Sequence, residues 1–203
     1  MGLYDRYLLP HLIDFACGMG EVMKARSQLV PQAHGRVLEI GIGSGLNLAF
    51  YDAKKVSVII GVDPSAEMQK LAKQRAAAIS IPVEMIALEL GQIQADDASF
   101  DSIVCTFTLC TIPDAVAALK EMRRVLKPGG RLLFCEHGMA PELPVLRWQN
   151  RLTPLWKPLA GGCHLNRDIP ALITAGGFQI GELSNRYLKG PKPMTYIYQG
   201  WAY

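Results

Sequence analysis

The chain has 203 residues, half of them apolar and 19% charged, enough to bury a single core and too apolar for a disordered segment. Twenty-one Lys and Arg against 18 Asp and Glu leave a net charge of +3, with no run of five basic residues, so nothing calls for a nucleic-acid partner. Five scattered cysteines, Cys17, Cys105, Cys110, Cys135 and Cys163, form no Cys-x-x-Cys pair, which points to a reduced, cytoplasmic protein with neither a disulfide framework nor a zinc site.

The N-terminus shows no basic stretch followed by a clean apolar one, so no secretory signal is expected. Residues 8–23 are the most apolar early segment, interrupted by Pro10, His11, Asp14 and Glu21. That is too short and too polar to span a bilayer, but it suits a membrane surface or a cover over a pocket. Residues 4–28 are expected as one or two helices joined near Cys17-Gly18-Met19-Gly20. A first strand is expected at 37–42, with a helix starting over 46–53. A second, β-branched strand spans 56–62 and ends at Asp63-Pro64. The helix at 65–78 carries Met68, Leu71 and Ala72 on one stripe. A third strand is placed at 83–88 and a fourth at 102–107. Asp114 caps a helix reaching Leu126, and Lys127-Pro128-Gly129-Gly130 ends it before a fifth strand at 131–136. Residues 141–160, rich in Pro and Trp, read as an inserted cap. A helix at 169–175 stops at Gly176-Gly177, and 178–187 and 194–203 read as two strands in an antiparallel ending. The β-α-β-α rhythm predicts an α/β fold with a mostly parallel sheet and helices on both faces.

The first strand ends in Glu39-Ile-Gly41-Ile-Gly43-Ser-Gly45-Leu-Asn47. Alternating glycines let the backbone turn sharply at the carboxyl edge of the sheet, where ligands sit in open α/β folds. A dinucleotide loop wants G-x-G-x-x-G. Gly41 and Gly43 fit, but Leu46 stands where the third glycine belongs and Gly45 comes one residue early. Glu39 precedes the loop, where a carboxylate orders the turn by accepting backbone N–H groups. Asp63 ends the second strand 18 residues after Gly45. It suits acceptance from two ribose hydroxyls, against a plain N-cap of the following helix. After the third strand, Glu89 suits an adenine amino group and Leu90 a ring nitrogen; the alternative is a solvated surface glutamate. Thr106 ends the fourth strand beside the reacting group, while Cys105 reads as core.

The order of Glu39 to Gly45, Val62-Asp63-Pro64, Ser99-Phe100-Asp101 and Arg124-Val-Leu-Lys-Pro-Gly-Gly130 resembles the small-molecule branch of class I S-adenosylmethionine-dependent methyltransferases, over roughly residues 36–137. The resemblance implies a Rossmann-like, doubly wound, seven-stranded sheet, mostly parallel with an antiparallel C-terminal strand. It implies one domain over 1–203: a helical lid at 1–33, a cofactor-binding core at 34–137, a cap insertion at 138–168 and a C-terminal helix with strands at 169–203. S-adenosylmethionine is then the cofactor, leaving as S-adenosylhomocysteine. Its contacts fall to Glu39, Gly41, Gly43, Gly45, Asn47, Asp63, Pro64, Met68, Glu89, Leu90 and Thr106. Leu88-Glu89-Leu90-Gly91 departs from the usual Gly-Asp-Ala-Glu, and Gln94-Ala95 from the usual Leu-Pro-Phe. The segments 104–110, Glu136-His137, Trp148-Gln149 and 162–167 are also similar to thiol methyltransferases of the methyltransferase-like group. Those carry an N-terminal membrane anchor, which is not expected here.

On the acceptor side, Glu136 and His137 close the fifth strand, and His164 sits in the glycine-rich loop 161–166. These are the candidate catalytic residues, since a histidine there can take a proton or orient a nucleophile; the alternative is a hydrogen-bonded structural histidine. Tyr4, His11, Cys110 and Trp148 are the substrate-side candidates. A sulfonium methyl needs no enzyme nucleophile, so Cys110 is expected to be a small buried hydrophobe. No metal is expected. Together these residues point to a methyltransferase acting on a small, partly apolar acceptor, with a thiol first. A lipid amine or quinone-like carbon is the alternative, with peripheral membrane contact. An NAD-dependent oxidoreductase, opposed by Leu46 and by the lack of a Tyr-x-x-x-Lys pair, and an inactive cofactor-binding protein are the remaining readings.

Overall fold

The computed structural model describes residues 4, 8–86, 88, 89 and 91–203. The expected contact at Leu90 lies outside them, and only the backbone of Glu89 is described. Seven strands form one sheet: β1 Gly35–Ile40, β2 Val56–Val62, β3 Val83–Met85, β4 Phe100–Thr106, β5 Leu126–His137, β6 Ile180–Tyr187 and β7 Tyr196–Ala202. Their spatial order is β3-β2-β1-β4-β5-β7-β6. Strands β1 to β5 pair in parallel, and β7 runs antiparallel between β5 and β6. The helices are α1 Leu9–Cys17, α2 Gly20–Leu29, α3 Ala66–Ala76, α4 Ala115–Val125, α5 Leu143–Leu159 and α6 Ile169–Ala175.

Alternation along each strand sends side chains to two cores. Leu38, Ile40, Ile60, Ile103, Leu132 and Phe134 pack with Leu119 and Met122 of α4 and Ile169 and Ile173 of α6. Val37, Ile59, Val104, Leu133 and Cys135 pack with Val22, Ala25 and Leu29 of α2. Because both faces are covered, the central strands read as continuous apolar runs. Glu39 interrupts β1 on the α2 face and is only 1% exposed.

Local structure departs from expectation at four places. The helix expected over 46–53 is a single 3-10 turn, Leu48–Phe50. Asn47 and Tyr51 both turn their side chains inward onto Glu39, which holds the chain against the sheet and prevents a regular helix. The third strand stops at Met85, and a two-stranded hairpin, Leu88–Glu89 with Gln92–Ile93, follows it. Strand β5 begins at Leu126, so the Lys127-Pro-Gly-Gly130 stretch is extended, with a register shift opposite Phe100 and Ser102 absorbing the extra residues. The expected cap is a 17-residue helix that contains Pro154 and Pro158.

Three helices begin on side-chain caps. Ser65 accepts the Met68 N–H, Asp114 the Ala117 N–H and Asp168 the Ala171 N–H. Asp114→Ala leaves an N-terminal donor of α4 without its partner, so stability should fall by about 1 kcal/mol. Urea unfolding followed by circular dichroism checks this, and an unchanged midpoint would show that the cap carries none of the helix.

Candidate active site

Three glycines make the turn that leaves β1. Gly41, Gly43 and Gly45 have φ of +67°, +56° and +82°, a region costly for any side chain. A Cβ on Gly41 would collide with Thr108, and one on Gly45 would press on Leu48 and Ala72, whereas one on Gly43 would meet nothing nearer than 3.7 Å. Gly43 is therefore the point where the loop stays open to a ligand. Met68 of α3 is buried against it. Asp63 follows β2 at the same edge. Its carboxylate accepts the Gly43 N–H at 2.9 Å and the Ser65 N–H at 2.8 Å. Burial raises its pKa, opposed by those two bonds. Asp63 thus orders the glycine turn, the task sequence reasoning gave to Glu39, and still holds unused lone pairs. Pro64, next to it, is exposed.

Glu39 serves a network beneath the loop. It accepts from Asn47 Nδ2 at 2.9 Å and from the Tyr51 hydroxyl at 2.7 Å. Asn47 Nδ2 also reaches Thr106 Oγ1 at 3.0 Å. Arg26 of α2 donates through Nη1 to Asn47 Oδ1 at 2.8 Å and to Thr106 Oγ1 at 2.6 Å. The Arg26 Nε is buried without a partner. Burial pushes the Glu39 carboxyl up to about 7, against its bonds to Tyr51 and Asn47 and the nearby Arg26 charge.

The acceptor side is built from the loop after β4, the end of β5 and the loop after α5. Glu136 is fully buried and accepts the N–H groups of Thr108 at 3.0 Å and Cys110 at 3.2 Å. Burial raises it to about 7. Both oxygens thereby hold the loop 108–110, a positioning contact beside the catalytic part expected of it. Phe107 opens that loop with φ +54°. The Arg26 guanidinium lies 5.1 Å from its ring centroid, and the His137 ring meets it edge-on with centroids 5.1 Å apart. His137 Nδ1 is 3.9 Å from Cys163 Sγ, which is 3.6 Å from Cys110 Sγ. Of this sulfur pair Cys163 is drawn down by its hydrogen bond with Cys110 and by the nearby His137; Cys110 is driven up by the same contact and by burial. His164 is half-buried, with its backbone N–H on the Cys110 carbonyl at 2.8 Å and Nδ1 at 3.1 Å from the same oxygen. Burial lowers its pKa, favouring the neutral ring. Arg167 donates to the carbonyls of Leu109 and Ile112, so it too shapes this loop.

The N-terminal helices latch onto the glycine loop. Asp14 of α1 accepts from Ser44 Oγ at 2.5 Å and from Arg75 at 2.9 and 3.0 Å, and Arg75 also donates to the Ser44 carbonyl at 2.6 Å. Tyr4 donates its hydroxyl to the Leu159 carbonyl at 2.9 Å, tying the chain start to α5. Two substrate-side candidates lie on outward-facing surfaces. His11 is exposed because α1 buries Leu9 and Pro10 instead. Trp148 is 54% exposed, since α5 turns Gln149 and Thr153 inward and leaves the indole under Arg151. A cleft of about 910 Å³ lies between the hairpin and α4 near Gln92, Glu121 and Arg124, and none of the candidate site residues line it.

Sequence reasoning missed Arg26, Tyr51, Cys163 and the Asp14–Arg75 latch. A charged residue in an amphipathic helix carries no local sign that it will be buried, and Arg26 is 80 residues from Thr106. Cys163 lies 53 residues from Cys110, beyond any metal-ligand spacing that a sequence motif would reveal.

Residues 38–134 match a family model described as a methyltransferase domain. The thiol S-methyltransferase TMT1B of Rattus norvegicus is 39% identical over 137 residues, 65% of this chain and 55% of that protein. The thiol S-methyltransferase TMT1A of Homo sapiens is 34% identical over 166 residues, 79% of this chain and 66% of that protein. The chain thus spans about half to two thirds of the length of these curated relatives. A SAM-dependent methyltransferase from Leishmania major shares the fold, with a TM-score of 0.71 at 18% identity over 98% of this chain and 80% of that one.

The raised Glu39 carboxyl has a consequence for stability. In the unfolded chain it titrates near 4.5 and in the folded one near 7, so between those values unfolding releases a proton. Stability should therefore fall as pH rises from about 4.5 to about 7. Glu39→Gln should make the slope shallower, leaving the share that Glu136 and Asp63 add in the same direction. Urea midpoints across this window test it, and equal slopes in the two proteins would remove Glu39 as the source.

Proposed function

The chain belongs to the class I S-adenosylmethionine-dependent methyltransferases, and from that premise we propose that it methylates the sulfur of a small, partly apolar thiol. The observation that carries this reading is the pair of imidazoles, His137 and His164, gathered with Cys110 and Cys163 at the carboxyl edge of β4 and β5. The thiol S-methyltransferase relatives support the same acceptor atom.

The residues fit the cofactor. Gly43 leaves room for close backbone approach, Asp63 has lone pairs free for ribose hydroxyls, and Arg26 Nε is a buried donor lacking an acceptor, suited to a carboxylate. Glu89 remains the expected adenine contact. When bound, S-adenosylmethionine supplies a methyl group already activated by its sulfonium charge. Gly41 to Gly45 and Asp63 then fix the donor end, while the loop 107–110 and His137 bound the acceptor end. Such alignment contributes about 7–11 kcal/mol in favourable cases. A thiol with a pKa of about 8.5 is only a few per cent ionised at neutral pH, so a neutral His164 able to take its proton raises the reactive fraction. The α1 lid, latched through Asp14, excludes water from the same edge.

A second reading, a lipid amine or quinone-like carbon as acceptor, is favoured by one feature. Leu8, Leu12, Phe15 and Met19 around α1 and Leu155 and Leu159 of α5 are all exposed, a surface suited to a lipid interface. No helix of the described residues is long and apolar enough to cross a membrane. The free thiols suit a reducing compartment such as the cytoplasm.

Labelled methyl transfer to paired thiol and lipid panels separates the two readings, with thiols expected to accept. Cofactor binding without turnover on any acceptor would instead make the chain a binding protein. In calorimetry S-adenosylhomocysteine should bind and NAD should not. Asp63→Ala should weaken that binding by about tenfold or more, near 1.4 kcal/mol. His164→Ala should keep the affinity and lower turnover; unchanged turnover would take His164 out of the mechanism.

A further inference from the structure

Cys110, His137 and Cys163 come from three separate segments: the loop after β4, the end of β5, and the loop after α5. The last is turned inward by Gly161 and Gly162, with φ of +60° and +92°. Their ligand atoms all lie within 4.8 Å of one another. The two sulfurs are 3.6 Å apart, and Cys163 Sγ is 3.9 Å from His137 Nδ1. In a tetrahedral complex with metal–sulfur bonds of about 2.3 Å and metal–nitrogen bonds of about 2.0 Å, neighbouring donor atoms stand roughly 3.5–3.8 Å apart. Two of the three separations are close to the edges of such a tetrahedron, and the third, Cys110 to His137, is within 4.8 Å. A disulfide would need the sulfurs to close to about 2.05 Å.

We propose that Cys110, His137 and Cys163 bind one soft or borderline divalent cation of the Zn²⁺ class, leaving a fourth position for the acceptor. Two thiolates and an imidazole select such an ion over Mg²⁺ or Ca²⁺, and three protein ligands with one open position mark a reactive rather than a structural zinc site. Two thiol protons leave to solvent as the ion binds. The surroundings hold each ligand in place. Glu136 accepts the Cys110 N–H, the Cys110 carbonyl accepts from His164, and the Phe107 ring fixes the plane of His137. The buried Trp156 indole N–H has no oxygen or nitrogen partner and favours negative charge on Cys163. Outer contacts of this kind orient metal ligands. The role of the open position rests on the thiol reading above. An acceptor thiol that coordinates there loses its proton to His164 or solvent and is held as thiolate.

Reduced protein freed of metal by a chelator and titrated with Co²⁺ tests the site directly. One equivalent should bind and give a thiolate-to-cobalt charge-transfer band, which Zn²⁺ should abolish. Cys110→Ser and Cys163→Ser should each lose the band while circular dichroism remains native. Cys135→Ala, a buried cysteine of the core under α2 that is not among the three ligands, should keep it. A small thiol should shift the band of the wild-type cobalt form. Absence of the band overturns the proposal, as does a Cys110–Cys163 disulfide found by mass spectrometry in freshly purified protein. Thiol methylation at full rate by the chelated protein would reject the metal's part and leave the thiol reading standing. Cobalt binding without any thiol methylation would do the reverse.

Discussion

Glu39 occupies a position where a sheet covered on both faces otherwise admits only apolar side chains. Removing a carboxylate from water costs several kcal/mol unless its lone pairs are met. Asn47 and Tyr51 meet them, and Arg26 sits one hydrogen bond farther out. Each of these residues is thereby forced into place. Asn47 and Tyr51 draw the exit of the glycine turn down onto the sheet, Thr106 is tied to the end of β4, and α2 is held to the face by its own arginine. The geometry of the donor edge follows from satisfying one buried charge.

At the end of β5, Glu136 plays a comparable part through backbone rather than side chains. By accepting two consecutive-loop N–H groups it sets the path of residues 108–110, and Arg167 grips the carbonyls of the same stretch. The acceptor edge is therefore rigid, and the sulfurs and imidazoles on it have little freedom to reposition. Helix α1 is attached differently. Its link to the glycine turn is a partly exposed ion pair between Asp14 and Arg75, the kind that contributes modestly to stability.

Much of the fold was legible in the sequence. Strand period, the cap at Asp114 and the glycine turn are local signals, and they produced the succession of elements and the mostly parallel sheet with its antiparallel ending. Where side chains acted over distance, legibility ended. The stretch 46–53 contains good helix formers, yet Asn47 and Tyr51 override them by reaching Glu39. Glu136 has the place of an active-edge acid, and nothing in its neighbours says that both oxygens will accept N–H groups of the loop 108–110. His11 and Trp148 fell on the outward side of helices whose register only the packing decides. The dinucleotide alternative, weakened in the sequence by Leu46, falls with the family match.

Phe107 is the one bulky residue at this edge held in the left-handed region, a placement that costs on the order of 1–3 kcal/mol. Its ring touches Arg26 on one side and His137 on the other. A ring wedged in this way cannot yield to one neighbour without displacing the other. Arg26, in the network under the glycine turn, and His137, beside the sulfur pair, are thus mechanically linked through a single aromatic plate, so a shift of either is felt by the other.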